Sequence, residues 1–307
     1  MGLNIFKSNG HPITIPYRDN MRRHNLILFF LMYTLLITLP GCSLIVRSAT
    51  NSLADNLSHS ILNQQDPDTA KEAIPSYLLI MDAMIYNNPE DVSLLQSAAS
   101  LNTAFAGLFI EDKDRQRIIA DKAIGYAVRA LCVHISDACQ IRKMSYKQFE
   151  KLIGAMNLDT LPSYYSLGTA WAIWLQANSE DWNAVAQLSR IESIMQKILT
   201  IDENYEHGGA HLYMGIFSTL LPPAMGGHPE IGKKHFERSI ELSQGKNLMA
   251  KVTYAERYAR LMFDRELHDR LLRETLKAES RYEDLTLINT IAKQKAKQLL
   301  ASANDYF

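Results

Sequence analysis

Through most of this chain the apolar positions recur with the period of an α-helix, and nowhere does apolar/polar alternation persist long enough to predict a strand. The stretch 91–109 sets the pattern. Leu94, Leu95, Ala98, Leu101, Asn102, Phe105, Leu108 and Phe109 fall on one stripe at i, i+3, i+4 and i+7 spacings. Upstream, Asn87-Asn88-Pro89 separates this helix from one over Thr69 to Tyr86, because proline ends the first and suits the opening turn of the second. The same periodicity predicts helices over 114–131, 162–177, 182–200, 208–221, 230–242, 248–263 and 285–303. In the last of these, Ile288, Ile291, Ala292, Leu299 and Leu300 share a stripe while Lys293, Lys295 and Lys297 lie largely elsewhere, as in a terminal capping helix. The chain is therefore predicted to be all-α, with helical hairpins that bury their stripes on their neighbours and leave a concave surface.

The stretch 208–242 refines this prediction. Gly215 falls late in one helix, and Gly232, Phe236 and Ser239 give a small, aromatic, small series in the next, the pattern of a tetratricopeptide (TPR) repeat. A TPR-like α-solenoid follows as the fold class. Between the two helices, 221–229 is longer than a tight turn, so it is read either as a binding element or as an irregular connection.

The N-terminus departs from this pattern. Met21-Arg22-Arg23 precedes the uncharged run Leu26 to Leu39, in the order of a secretory signal peptide. The run is short of the roughly 20 residues that a membrane-spanning helix needs. It ends in Leu39-Pro40-Gly41-Cys42, which resembles a bacterial lipobox despite Pro40, so Cys42 is the predicted lipidation site. Residues 1–20 read as an extension upstream of a start at Met21. The expected organisation is a signal peptide over 1–41, a lipidated N-terminus and tether over 42–50, and a helical domain over 51–307. Ser43 rather than Asp after the lipidated cysteine favours the outer membrane.

Charge sharpens the picture. With 32 Lys and Arg against 33 Asp and Glu the net charge is −1, which excludes a polybasic nucleic-acid binder. The leader holds Lys7, Arg18, Arg22 and Arg23 against Asp19 alone, so the remainder is more acidic than the whole. Three cysteines form no CxxC pair. On one continuous helix Cys132 and Cys139 would lie about 10.5 Å apart, too far for a disulfide. A bond between them, expected in an oxidising compartment, requires the helix to end near Val133 or His134.

Candidate chemistry is sparse. No Ser/His/Asp arrangement, phosphate loop or nucleotide fingerprint is present, so neither an enzyme nor a cofactor is predicted. The aromatic residues Tyr164, Tyr165, Trp171, Trp174 and Trp182 are read either as walls of an apolar groove or as core. Asn102, an amide on an apolar stripe, must find hydrogen-bond partners or face a polar groove. His207 and His211 are four apart but lack the Glu of an HExxH site, and Gly208-Gly209 between them loosens the helix. That glycine pair and Gly226-Gly227 permit positive φ or close approach of a ligand.

Three segments resemble the T-component (TatT) family associated with TRAP transporters. They are Asn88-Pro89-Glu90-Asp91 with Leu94-Leu95, the run from Gly208 to Gly215 leading to Leu221-Pro222 and Gly226-Gly227-His228-Pro229-Glu230, and His235 to Ser243. The resemblance implies a non-enzymatic periplasmic lipoprotein, trimeric, that partners a TRAP-type periplasmic solute-binding protein. It also implies that a small apolar or organic-acid ligand is held or passed through a groove or pore. Asn102, Tyr164, Tyr165, Trp171, Trp174, His211, Tyr213, Pro222, Gly226 and Gly227 are the groove candidates. Two rival readings stand beside it: a TPR-like envelope scaffold without a ligand, and an envelope metallohydrolase using His207 and His211.

Overall fold

Helix starts in this protein are written into its aspartates. The computed structural model describes residues 56–307 together with Phe29 and Ala54. Cys42, the leader and the tether lie outside the described residues. A short helical stretch over 56–62 precedes α1 (Pro67–Asn87), α2 (Val92–Leu108) and α3 (Lys113–His134). Asp66, Asp91 and Asp112 sit before these helices, and each accepts backbone N–H groups of the first turn that have no partner inside the helix. Each such cap contributes about 1 kcal/mol. Because α3 ends at His134, the chain turns back through a 3₁₀ turn, Ser136–Gln140, and Cys132 and Cys139 form a disulfide with Cα atoms 4.6 Å apart.

Next come α4 (Tyr146–Gly154), α5 (Leu161–Ala177), α6 (Trp182–Val185) and α7 (Leu188–Ile201). The single helix expected over 182–200 is broken at Ala186 and Gln187. There the Gln187 side chain accepts a hydrogen bond from Trp171 Nε1 at 2.9 Å and donates one to the Asn183 carbonyl at 3.2 Å. The chain continues through α8 (Tyr205–Ser218), α9 (Pro229–Leu242), α10 (Leu248–Tyr254), a π turn over Ala255–Ala259, α11 (Arg265–Lys277), α12 (Thr286–Ala301) and α13 (Ala303–Tyr306). No strand occurs among the described residues. Two helices escape the periodicity reading. Helix α4 is announced by a capping box, Ser145 with Gln148. Helix α11 starts at Asp264 and carries the i,i+4 ion pairs Asp269–Arg273 and Arg270–Glu274, so its charge hides a narrow buried stripe of Leu267, Leu271 and Leu272.

Sequential helices pack side by side and alternate in direction. Near their starts α2 and α5 are joined by Gln96 Nε2 donating to Ser163 Oγ at 2.8 Å, and near their ends Gly107 faces Ile173 across a gap that a Cβ would fill to 3.0 Å. These two helices therefore run parallel, with α3 against both. Lys122 and Tyr126 of α3 both donate to the Asp82 carboxylate of α1, which ties a second parallel pair together. Helices α8 and α9 approach closely through the expected glycines. A Cβ at Gly215 would stand 2.7 Å from the Phe236 ring, and one at Gly232 would stand 3.0 Å from the Gly215 carbonyl.

Helix α12, the expected closing helix, also reaches the other end of the array. Leu287 of α12 is buried in the same cluster as Ile74, Met81, Leu95 and Phe105 of α1 and α2. Just before α12, Asp284 Oδ1 accepts a hydrogen bond from Asn63 Nδ2 at 3.1 Å, and the Asp284 amide donates to Asn63 Oδ1 at 3.0 Å. The array closes end to end.

Candidate functional site

Helix α8 begins in the wrong hand. Glu206, His207 and Gly208 have φ of 50°, 55° and 77°, a complete left-handed turn, before the chain becomes right-handed at Gly209. An L-residue with a Cβ pays about 1–2 kcal/mol for this conformation, so packing from elsewhere must hold it. Two contacts do. A Cβ at Gly208 would sit 2.9 Å from Leu242 Cδ1 of α9, and one at Gly209 would overlap the Tyr165 hydroxyl of α5. Asp202 Oδ1 accepts the Asn204 amide at 2.9 Å and Glu203 binds Arg238, so neither serves as the N-cap of α8.

The turn packs against an aromatic cluster. The Tyr165 and Tyr205 rings meet edge to face with centroids 5.2 Å apart, and Tyr213 lies one turn along α8 from Gly209. All three rings pack against the core that Tyr164 and Trp171 share. Burial pushes the Tyr165 hydroxyl well above its ordinary range, and Tyr213, Glu206 and Tyr205 add to that shift. Burial likewise raises Tyr205 and Tyr213 to about 12. The Glu206 carboxyl is raised chiefly by burial; His207 opposes the shift and Asp284 reinforces it. The Glu206 residue is exposed to solvent at the edge of the cluster.

Beside the turn, Glu203 joins α8 and α9 in a polar network. Arg238 donates to both oxygens of Glu203, and this ion pair holds the carboxyl below its usual range. Glu203 Oε2 lies 3.3 Å from His211 Nε2, and His211 Nδ1 lies 2.8 Å from His235 Nδ1. An ionised Glu203 can only accept, so His211 carries its proton on Nε2 and accepts at Nδ1 from His235. Burial lowers both imidazoles, His235 to about 4, so both are neutral at pH 7. The left-handed turn takes His207 off the helical face of His211, whose two ring nitrogens are engaged by Glu203 and His235. No group of three or more potential metal ligands occurs among the described residues.

The remaining groove candidates lie elsewhere. Tyr164 and Trp171 are wholly enclosed in the core of α3, α4, α5 and α7, with Tyr164 Oη donating to the Leu152 carbonyl at 3.2 Å. Trp174 Nε1 donates to Asp121 Oδ1 at 2.6 Å, under the Arg142 guanidinium 4.1 Å from its ring centre. Trp182 is 85% exposed. Asn102 is buried among the α2 core residues and donates to the Ala98 carbonyl at 2.7 Å. Pro222, Gly226 and Gly227 shape the α8–α9 loop. Gly226 adopts a φ of 85°, and the Gly227 amide donates to the Pro222 carbonyl at 3.1 Å. That loop follows the opposite end of α8, roughly 20 Å along the helix from the aromatic cluster. Of the candidates, Tyr165 and Tyr213 are brought together, while His211 is taken up by Glu203 and His235. Tyr205 and Glu206 were not among them, and their signal was the Tyr-Glu-His-Gly-Gly string, which suits no ordinary helix start.

The model of the TAtT family, the TRAP transporter T-component, matches residues 63–307. This chain belongs to that family. None of the curated proteins matches it. The match spans every numbered helix, so the left-handed turn, the tyrosine cluster and the Glu203–His211–His235 network all lie within the matched residues. Membership makes the protein an accessory component of a TRAP transport system, a role in the cell envelope. No helix among the described residues is long and apolar enough to cross a membrane.

Proposed function

We propose that this T-component is a lipoprotein anchored through Cys42 at the periplasmic face of the envelope, in the outer membrane, where it docks a TRAP-type solute-binding protein and holds or passes a small ligand. Its hairpins form a TPR-like solenoid, a reading supported by the parallel register of α2 and α5 and by the glycine-mediated packing of α8 on α9. It acts as a trimer, by family resemblance. The observation behind the ligand reading is the cluster of Tyr165, Tyr205 and Tyr213 with Glu206 at its edge, built on a turn that costs energy to hold. Aromatic rings supply large contact area with few rotors, which suits a ligand with an apolar body.

The test is to purify the full chain, capture the candidate solute-binding protein with it, and look for a co-purifying small molecule by native mass spectrometry. The expected result is a stable complex together with a ligand lost in a Tyr165→Leu variant. If neither partner nor ligand appears, the protein is a scaffold. A Cys42→Ser variant should leave the membrane fraction, and one that still sediments with membranes would refute the lipid anchor.

A further inference from the structure

We infer that a groove along the outward face of α7, separate from the tyrosine cluster, binds a neutral, hydroxyl-rich ligand of the saccharide class. The groove has a volume of about 500 Å³ and is lined by α7 together with Tyr146 of α4 and Met214 of α8. Its floor is polar. Glu192, Ser193, Gln196 and Lys197 project from α7 opposite the buried stripe of Ile191, Ile194, Met195 and Ile198. Residues on such a face are ordinarily exposed, yet Glu192, Ser193 and Lys197 are half-buried, because the neighbouring helices rise beside them. The Tyr146 wall is held in advance. Arg190 of α7 donates to the Ile141 carbonyl at 3.0 Å and to the Met144 carbonyl at 2.6 Å, and the Ser145–Gln148 capping box fixes the first turn of α4. Tyr146 opens that turn, 45% exposed, with its Oη 3.5 Å from Ser193 Oγ of α7.

The ligand class follows from the hydrogen-bonding inventory. Within the described residues no hydrogen bond or ion pair engages the side chains of Glu192, Gln196 or Lys197. They converge on the groove with that capacity unspent, as polar groups do in a small-molecule site. Ser193 Oγ donates to the Ser189 carbonyl at 2.9 Å, so towards the groove it accepts. The groove therefore offers acceptors in Glu192 and Ser193, a donor in Lys197 and both in Gln196. Hydroxyl groups donate and accept at once and match this mixture, whereas a ligand carboxylate can only accept and an ammonium can only donate. One carboxylate and one ammonium leave the lining with no net charge to favour either ion. The exposed ring of Tyr146 and the thioether of Met214 supply apolar surface for the C–H face of a sugar ring.

The experiment is calorimetric and saturation-transfer NMR titration of the full chain with maltotriose, cellotriose and chitotriose, and with γ-aminobutyrate as a zwitterion. At least one trisaccharide should bind with a dissociation constant of about a millimolar or tighter, and γ-aminobutyrate about tenfold more weakly. Tyr146→Ala, at an exposed position that keeps the capping box, should weaken that trisaccharide about tenfold with an unchanged circular dichroism spectrum. Gln196→Ala should weaken it by a smaller factor, and Tyr165→Leu should leave it unchanged, which separates this groove from the tyrosine cluster. Binding of no trisaccharide, tighter binding of γ-aminobutyrate than of all three, or an affinity unmoved by Tyr146→Ala would overturn the inference. Trisaccharide binding lost in Tyr165→Leu but kept in Tyr146→Ala would also overturn it and assign the sugar to the cluster.

Discussion

Tyr164 and Tyr165 are neighbours on α5, yet one faces a sealed core and the other the left-handed turn that opens α8. Tyr164 lies with Leu167 and Trp171 among α3, α4 and α7, fully buried, with its hydroxyl satisfied by a backbone carbonyl. Tyr165, about 100° around the helix, lies over Gly209 and against Tyr205, beside a turn of the wrong hand. On the first face every local preference agrees with the packing. On the second, backbone strain and an uncompensated carboxylate are held in place by contacts from other helices. Such disagreement between local preference and global structure is where function is expected, because folding alone would not retain it.

Four probes test this contrast. On the sealed face, Trp171→Ala should cost about 3–5 kcal/mol in a urea titration, through lost burial and the cavity left behind. If it costs much less, that face is not the close-packed core described here. Helix α8 offers a matched pair of glycines. Gly215→Ala forces a methyl against the Phe236 ring and should cost about 1–3 kcal/mol, and Gly209→Ala drives one into the Tyr165 hydroxyl, an overlap that should cost at least as much. A Gly209→Ala variant as stable as the parent would mean that Tyr165 does not hold the turn.

The third probe is pH. The His235 imidazole is lowered to about 4 from an ordinary value near 6.5, so the unfolded chain takes up a proton that the native protein refuses. That contribution is complete above pH 6.5 and is lost as pH falls towards 4. It amounts to about 1–2 kcal/mol once partial solvation of the ring is allowed for. Glu203, whose carboxyl is lowered, adds its own loss only below its ordinary value, so unfolding measured between pH 7 and 5 reads His235 together with His211, with the raised carboxyls of Glu206 and Glu192 acting in the opposite sense. His235→Gln should flatten that slope; an unchanged slope would place the titration elsewhere. The smallest expected effect is a gain. Glu206→Gly relieves one left-handed residue and should raise stability by about 0.5–1 kcal/mol in the same urea titration. Destabilisation by this variant would mean that the turn is not strained.

Much of the fold is legible in the sequence because its causes are local. The apolar stripe of 91–109, the aspartates before α1, α2 and α3, and a helix end near His134 all follow from spacing and capping. Helix α11 is illegible by hydrophobicity because its ion pairs mask a narrow buried stripe, although Asp264 marks its start. The candidate site is legible only in fragments. Nothing in Tyr-Glu-His-Gly-Gly requires a left-handed turn; Leu242 and Tyr165, distant in sequence, impose it. Nor does spacing decide which of two adjacent tyrosines faces the core, because both readings satisfy one helix and the choice is made by its neighbours.

The junction of Asn63 with Asp284 joins residues 221 positions apart. A chain emerging N-terminus first can stack its early hairpins as they appear, but it cannot make this joint until α12 has emerged. Before then, the part of the α1–α2 core that Leu287 covers is open to other chains. Completion of the domain is thus a single late event with a large loop-closure cost, and the number of hairpins is fixed. An inserted repeat would leave the two ends unable to meet.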